Sequence, residues 1–217
     1  MAKQKKVLIF DFDGTIADSF KIFLQTLNLI TDNKYDVTTS NIKALKKMTM
    51  PQIIKKLNIK RWKLPFLVLK GRKQLSKKIE FVKPFNGMEQ TISTLHDNGY
   101  IMYILSSNDA KAINIFLQKH QMTKYFSNVY GNAGLLSKAK AINKLIKKEH
   151  LTKSNCIYIG DEMRDVEASH KAGIDVISVD WGFSDGDALR SINKNVVSSQ
   201  KELISLLIPK KSVNSQD

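Results

Sequence analysis

Two carboxylates near the N-terminus have the spacing and the setting of a metal-binding pair. Asp11 and Asp13 follow the apolar run 7–10, and Gly14 after them permits a sharp turn. Side chains at i and i+2 of an extended chain point to the same side, so the two carboxylates lie close together. Like charges at this distance need a compensating cation. Oxygen ligands suit Mg²⁺, which also accepts substrate phosphate oxygens, and we therefore predict a magnesium and phosphate site here.

A second acidic pair follows another apolar run, at residues 156–159. Asp161 stands where that run ends, and Asp165 comes one helical turn later, so both can face the same point. An acidic helix start that complements the helix dipole is the alternative interpretation. Because Asp11 and Asp13 form the first acidic pair, we interpret Asp161 and Asp165 as the second half of the same metal site. The predicted metal ligands are Asp11, Asp13, Asp161 and Asp165.

Hydroxyl and ammonium groups elsewhere in the chain could hold phosphate oxygens. Ser106 and Ser107 follow the apolar run 101–105, where a hydroxyl and free amides at a helix start can bind phosphate, although serine here is also a common helix cap. Lys138 precedes a helical pattern and offers a positive partner to a transferring phosphoryl group. A surface lysine is the ordinary alternative, and Lys140 is its rival. We predict phosphate contacts from Ser106, with Ser107 left open, and from Lys138.

These candidates all lie next to predicted strands. Continuous apolar runs are typical of strands that are buried on both faces, and here they alternate with segments of helical period. The runs are 7–10, 101–105, 156–159, 176–179 and, more weakly, 195–197. The alternation predicts an α/β fold, a doubly wound, Rossmann-like and mostly parallel sheet. In such sheets ligands bind beyond the carboxyl ends of the strands, where the candidate residues lie.

Residues 18–83 break this alternation. Ile22, Phe23, Leu27 and Ile30 have helical spacing, as do later apolar residues up to Ile79, and no strand pattern intervenes. We predict an all-helical cap over 18–83, inserted into a core formed by 1–17 and 84–217. Five basic residues near Trp62 and Pro65 are candidate substrate selectors, although solvated helix-face charges are the simpler interpretation. They are Arg61, Lys63, Lys70, Arg72 and Lys73.

Composition excludes several classes of protein. No apolar run reaches membrane-spanning length, so we expect no membrane partner. The single cysteine, Cys156, forbids an intramolecular disulfide and favours a cytoplasmic location. The net charge of +15 could indicate nucleic-acid binding, but the lysines are spread along the chain without stacking aromatics or zinc-finger spacing. We interpret the charge as a lysine-rich surface and expect no nucleic-acid partner. The sequence leaves the oligomeric state open.

The motifs together resemble those of the haloacid dehalogenase (HAD) superfamily. Asp11–Ser19 (DFDGTIADS), Ser106, Lys138 and Gly160–Asp165 (GDEMRD) occur in the order and spacing of its four motifs. The helical insert between the first two motifs resembles the C1 type of cap.

Two further segments resemble the phosphoglycolate-phosphatase-like group. They are Phe85–Met88, at the return to the core, and Val179–Phe183, which contains a Trp-Gly-Phe string. The third motif departs from that group, because Ala139 and Lys140 follow Lys138 where proline is common.

The resemblance implies a mechanism. Asp11 would attack phosphorus and form an aspartyl-phosphate, and Asp13 would act as acid and then as base. The carboxylates of Asp11 and Asp161 and the backbone carbonyl of Asp13 would bind Mg²⁺, and Asp165 would orient these ligands. Ser106 and Lys138 would bind the phosphoryl oxygens.

We therefore predict a magnesium-dependent phosphatase that acts on a small phosphorylated metabolite, with phosphoglycolate as the best single substrate. Asp13 favours phosphate esters, because the dehalogenases of the superfamily lack that residue. A phosphosugar mutase or a pyrophosphatase of the same superfamily remains an alternative. The charge leaves a nucleic-acid-associated phosphatase or binding module as a further one.

Overall fold

The computed structural model describes residues 6–30, 48, 50–56, 60, 64–133 and 138–208. Its strands form one six-stranded sheet in the order β3-β2-β1-β4-β5-β6, and every neighbouring pair is parallel. The strands are β1 (Val7–Phe10), β2 (Ile101–Leu105), β3 (Asn128–Tyr130), β4 (Cys156–Gly160), β5 (Asp175–Val179) and β6 (Val196–Val197). The predicted doubly wound parallel sheet is confirmed.

Helices cover both faces of this sheet. They are α4 (Met88–Asp97), α5 (Ala110–Lys119), α6 (Lys138–Lys148), α7 (Met163–Ala172), α8 (Gly186–Arg190) and α9 (Gln200–Leu207). Alternate residues of β1 enter two separate cores: Leu8 and Phe10 pack on the side of α4 and α5, whereas Val7 and Ile9 pack on the side of α6 and α7. This two-sided burial explains why the central strands are continuously apolar.

Strand β3 was not predicted from the sequence. Its three residues, Asn128–Tyr130, are exposed or half-buried because β3 is an edge strand that pairs only with β2. An edge strand does not need a continuous apolar run, so the pattern that identified the other strands is absent here.

Between β1 and α4, the described residues include three α-helices. They are α1 (Phe20–Ile30), α2 (Met50–Lys56) and α3 (Leu64–Lys78), followed by a 3₁₀ turn at Ile79–Phe81. Helices α1 and α3 pack against each other. Pro65 lies in the first turn of α3, where proline is compatible with a helix. Ala17 forms a β-bridge with Pro84, where the chain leaves and re-enters the sheet region.

The predicted boundary of the cap, 18–83, stays a prediction. Of its candidate selectors, Lys70 and Lys73 are exposed on α3. Arg61 and Lys63, and the side chain of Arg72, lie outside what the structure describes. Among the described residues, no helix is long and apolar enough to cross a membrane.

Candidate active site

The sheet register brings three of the sequence motifs to one edge. Phe10, the last residue of β1, pairs with Ile104 of β2 on one side and with Ile159 of β4 on the other. Asp11 follows directly, and its backbone N–H donates to the carbonyl of Ile159 at 2.8 Å. Ser106 and Asp161 therefore leave their strands at nearly the same height as Asp11, at the carboxyl edge.

Three carboxylates converge at this edge. Asp11, Asp161 and Asp165 are buried, and each offers one oxygen atom within 4.8 Å of those of the other two. Asp13, the fourth predicted ligand, is not in this group of side chains. The resemblance implies that Asp13 binds the metal through its backbone carbonyl. In the structure, the carboxyl group of Asp13 contacts the side chain of Asn108.

Lys138 lies between two of these carboxylates. Its Nζ is 2.6 Å from Asp11 Oδ2 and also contacts Asp165 Oδ1. Burial alone would lower the pKa of Lys138, but the two carboxylates raise it well above its ordinary range, so the group is an ammonium. Lys140, its rival, is exposed on α6. The structure therefore brings Lys138 and not Lys140 to the acidic cluster.

The cluster carries more negative charge than Lys138 balances. Burial raises the pKa of Asp11, partly offset by the ammonium of Lys138. The pKa of Asp161 is raised well above its usual range by burial and then by the neighbouring charges of Glu162, Asp165 and Asp11. Three buried carboxylates beside one ammonium need further positive charge to be ionised together. An all-oxygen donor set of this kind fits Mg²⁺.

Asp161 is held in a narrow slot. Its Oδ1 accepts a hydrogen bond from the Thr15 hydroxyl at 3.0 Å, and its Oδ2 accepts one from the backbone N–H of Phe183 at 2.7 Å. Gly14, with a φ of +77°, and Gly182 line the slot, since a Cβ at either position would lie 2.2 or 2.3 Å from Asp161 Oδ2. Any larger residue at these positions would displace the carboxylate.

The loop after β5 connects this slot to the helical insert. The indole N–H of Trp181 donates to the carbonyl of Thr15 at 3.1 Å. The ring of Phe183 packs against Phe20 and Phe23 of α1, with centroids 5.0 and 5.7 Å apart. From the sequence, the Trp-Gly-Phe string is only a resemblance to a known group, and its contact with Asp161 was not predicted.

A second hydrogen-bonded cradle holds Asp165. One of its oxygens accepts from the backbone N–H of Glu162 at 3.1 Å, as part of a capping box at the start of α7. A Cβ on Gly160 would lie 2.4 Å from Asp165 Oδ2. Glu162 also forms an ion pair with Arg164. Asp165 is therefore fixed by the same turn that presents Asp161.

On the other side of Asp11, the turn after β2 approaches Asp13. Ser106 is 1% exposed, and its hydroxyl accepts from the backbone N–H of Asn108, whereas Ser107 is partly exposed. The side-chain amide of Asn108 donates to Asp13 Oδ2 at 3.3 Å, while Asp13 Oδ1 is buried and has no hydrogen-bond partner in the part of the chain that the structure describes. Burial, the largest cause, raises the pKa of Asp13 to about 7. Asn108 was not among the predicted site residues, although it is part of the Ser-Ser-Asn string.

Known proteins match this chain along most of its length. A family model described as haloacid dehalogenase-like hydrolase matches residues 8–179. The phosphoglycolate phosphatase of Synechococcus elongatus is 30% identical over 186 residues, which cover 85% of this chain and 88% of that protein. The phosphoserine phosphatase of Methanocaldococcus jannaschii is 24% identical over 192 residues, 81% and 86% of the two chains.

A solved structure agrees with the fold. The crystal structure of a predicted phosphatase from Clostridium acetobutylicum has a TM-score of 0.76 at 21% sequence identity, covering 94% of this chain and 99% of that one. This likeness shows the fold alone. The family match and the relatives confirm the predicted resemblance to the phosphoglycolate-phosphatase-like group and to phosphatases of the HAD type. The chain belongs to the haloacid dehalogenase-like hydrolase family.

Proposed function

We propose that this protein is a magnesium-dependent phosphatase that hydrolyses a small phosphate monoester through an aspartyl-phosphate on Asp11. One observation supports this above all: the buried carboxylate of Asp11 contacts the ammonium of Lys138 within a cluster of three carboxylates. A carboxylate in this setting is held in one orientation, and the surrounding charges can accommodate a phosphoryl group together with a cation.

The residues present suit a bound Mg²⁺. Asp11, Asp161 and the backbone carbonyl of Asp13 would hold the ion, with Asp165 in support, and the bound ion would neutralise charge on the phosphoryl oxygens. Thr15 and the backbone N–H of Phe183 keep Asp161 in place for this task.

In the first step, a carboxylate oxygen of Asp11 forms a bond to phosphorus while the bond from phosphorus to the ester oxygen breaks. Asp13 supplies a proton to the departing oxygen, which leaves as an alcohol. Lys138 and Ser106 bind the phosphoryl oxygens, where negative charge collects. Lys138 also orients Asp11 through their contact of 2.6 Å.

In the second step, water attacks the phosphorus of the aspartyl-phosphate. Asp13, now a carboxylate, takes a proton from that water, and the bond between phosphorus and Asp11 breaks. Inorganic phosphate leaves, and both aspartates return to their starting states. One residue thus serves as acid and then as base.

The best single candidate for the substrate is phosphoglycolate, the ester named for the relative from Synechococcus elongatus. The proposed helical cap over 18–83 would select among esters by closing over the site.

The test is a phosphate-release screen over small phosphate esters, with and without Mg²⁺. We expect turnover that needs the ion. Asp11→Asn, which keeps the shape of the side chain but removes the nucleophile, should lower kcat by about 10³-fold or more. Rapid quenching with a labelled substrate should place the label on the peptide containing Asp11. Wild-type turnover by Asp11→Asn, or no label on that peptide, would refute the assignment. Release of an isomerised ester without phosphate would identify a mutase instead.

A further inference from the structure

Asn108 is held in the turn between β2 and α5 by hydrogen bonds of its backbone and of its side chain. It is 1% exposed, and its backbone N–H donates to the Ser106 hydroxyl at 3.1 Å. Its backbone carbonyl accepts from the N–H of Asn132 at 2.7 Å. Its side-chain Oδ1 accepts from the N–H of Asp109 at 2.7 Å. Asp109 is itself the N-cap of α5, so the turn is anchored to the helix.

These bonds decide which end of the amide faces Asp13. Rotating the amide by 180° would place its NH₂ group against the N–H of Asp109, donor against donor. Oδ1 therefore stays with Asp109, and Nδ2 points to Asp13 Oδ2 at a distance of 3.3 Å. An NH₂ group can donate but cannot accept.

The two oxygens of Asp13 are therefore not equivalent. Oδ2 receives a hydrogen from Asn108, so a carboxyl hydrogen on Oδ2 would oppose that donor. Oδ1 is buried and makes no hydrogen bond among the described residues, although the hydroxyl of Ser19, which is buried too, lowers the pKa of the same carboxyl group. A buried polar atom without a partner is uncommon and calls for a ligand. Oδ1 is therefore the oxygen that is left free to contact a bound substrate.

We propose that Asn108 is a positioning residue for the phosphatase reaction: its amide binds Asp13 Oδ2 and so leaves Oδ1 as the oxygen that faces the leaving oxygen of the substrate. The inference rests on the proposed function. Asp13 gives the hydrogen on Oδ1 to the ester oxygen as the bond to phosphorus breaks. The electron pair of that bond stays with the leaving oxygen, and the phosphoryl group passes to Asp11. Asp13 is left as a carboxylate whose Oδ2 still accepts from Asn108.

This assignment predicts a dependence on the leaving group. A poor leaving group, such as an alkoxide, needs the hydrogen from Asp13, whereas p-nitrophenolate departs with little help. The quantity to measure is kcat/KM, which covers the steps up to departure of the alcohol. Its logarithm is plotted against the pKa of the leaving alcohol, from alkyl to substituted phenyl phosphates.

Asn108→Asp is the sharpest variant. It keeps an oxygen that can accept from the N–H of Asp109, so the turn is retained, but replaces the donor to Asp13 with an acceptor. We expect kcat/KM for alkyl phosphates to fall about 100-fold, the size of a typical acid contribution. For p-nitrophenyl phosphate the fall should stay within about 5-fold, so the plot becomes steeper and approaches that of Asp13→Asn. Asn108→Ala, which removes the donor without adding charge, should steepen the plot in the same direction.

The matched control is Asn193→Asp. Asn193 is also a buried asparagine, and its amide donates to the Ser178 hydroxyl at 2.9 Å, between β5 and β6. This variant should leave the slope of the plot unchanged, whatever it does to the melting temperature. Competitive inhibition by inorganic phosphate reports whether the variants at 108 still have an intact site.

Variants at 108 that bind phosphate normally and show the wild-type slope, or lose all substrates equally, would overturn the positioning role. A wild-type protein that releases no phosphate from any ester would instead remove the proposed function, and with it this inference.

Discussion

Replacing Gly182 by alanine tests the slot that holds Asp161. Gly182 is buried and has no positive φ, so the substitution adds no backbone strain of the left-handed kind. The new Cβ would lie 2.3 Å from Asp161 Oδ2 and 2.5 Å from its Cγ, whereas ordinary contact begins at 3.4 Å. The carboxylate must therefore move by roughly 1 Å, a displacement that can cost about 100-fold in rate when it affects a reacting group.

The movement should break the hydrogen bond from the Phe183 N–H, because Asp161 Oδ2 is the atom displaced. We expect the concentration of Mg²⁺ for half-maximal activity to rise about 10- to 100-fold. We expect kcat/KM to fall about 100-fold. Overpacking should cost about 1–3 kcal/mol of the free energy of unfolding. Metal titrations followed by turnover, and by Mn²⁺ binding in electron paramagnetic resonance, would measure the first effect without relying on activity alone.

Gly186→Ala is the matched control for this substitution. Gly186 also lies after β5, but the nearest atom to its added Cβ is the flexible end of Arg190, at 2.7 Å. Its activity and metal response should stay close to those of the wild type. If Gly182→Ala kept the wild-type metal response and kcat/KM, then Asp161 would not be the ligand that the slot positions, and the reasoning would be refuted.

Three other predictions address the charges of the site. Lys138→Met leaves Asp11 and Asp165 without their buried partner, so it should lower the free energy of unfolding, measured in urea, by about 3–5 kcal/mol. It should also remove most of the activity. Lys140→Met should change neither the stability nor the activity. The pKa of Asp13 is raised to about 7. Because the acid must be protonated, kcat/KM should fall tenfold per pH unit above about pH 7, and an alkaline limb that persists in Asp13→Asn would contradict this. Mg²⁺ at 100 times its dissociation constant should add about 2.7 kcal/mol to the free energy of unfolding, visible as a higher melting temperature, and Asp161→Asn should abolish most of this gain.

Sequence alone was sufficient for the central strands and for the order of the motifs. Strands β1, β2 and β4 are buried on both faces, so their apolar runs are continuous and easy to identify. The residues just after them are polar because the carboxyl edge of a parallel sheet is where a ligand meets the chain. Edge strand β3 lacked that pattern, because its residues need no burial on two faces.

The choice between Lys138 and Lys140 needed the tertiary structure. Both lie at the start of α6, and only the orientation of the helix against the sheet decides that Lys138 points to Asp11 while Lys140 is exposed. The structure also buries Ser106 and leaves Ser107 partly exposed, a difference between adjacent serines that the sequence does not show.

What the sequence determined by itself was the chemistry available, namely carboxylates at strand ends, a hydroxyl and a lysine, in the order of a known family. What only the tertiary structure decided was which groups hold those residues in place. Thr15 and the Phe183 N–H fix Asp161, and Asn108 orients Asp13, although the contacts join positions 146, 22 and 95 residues apart. Such contacts leave no local periodicity, because they arise only when separate loops meet at one edge of the sheet.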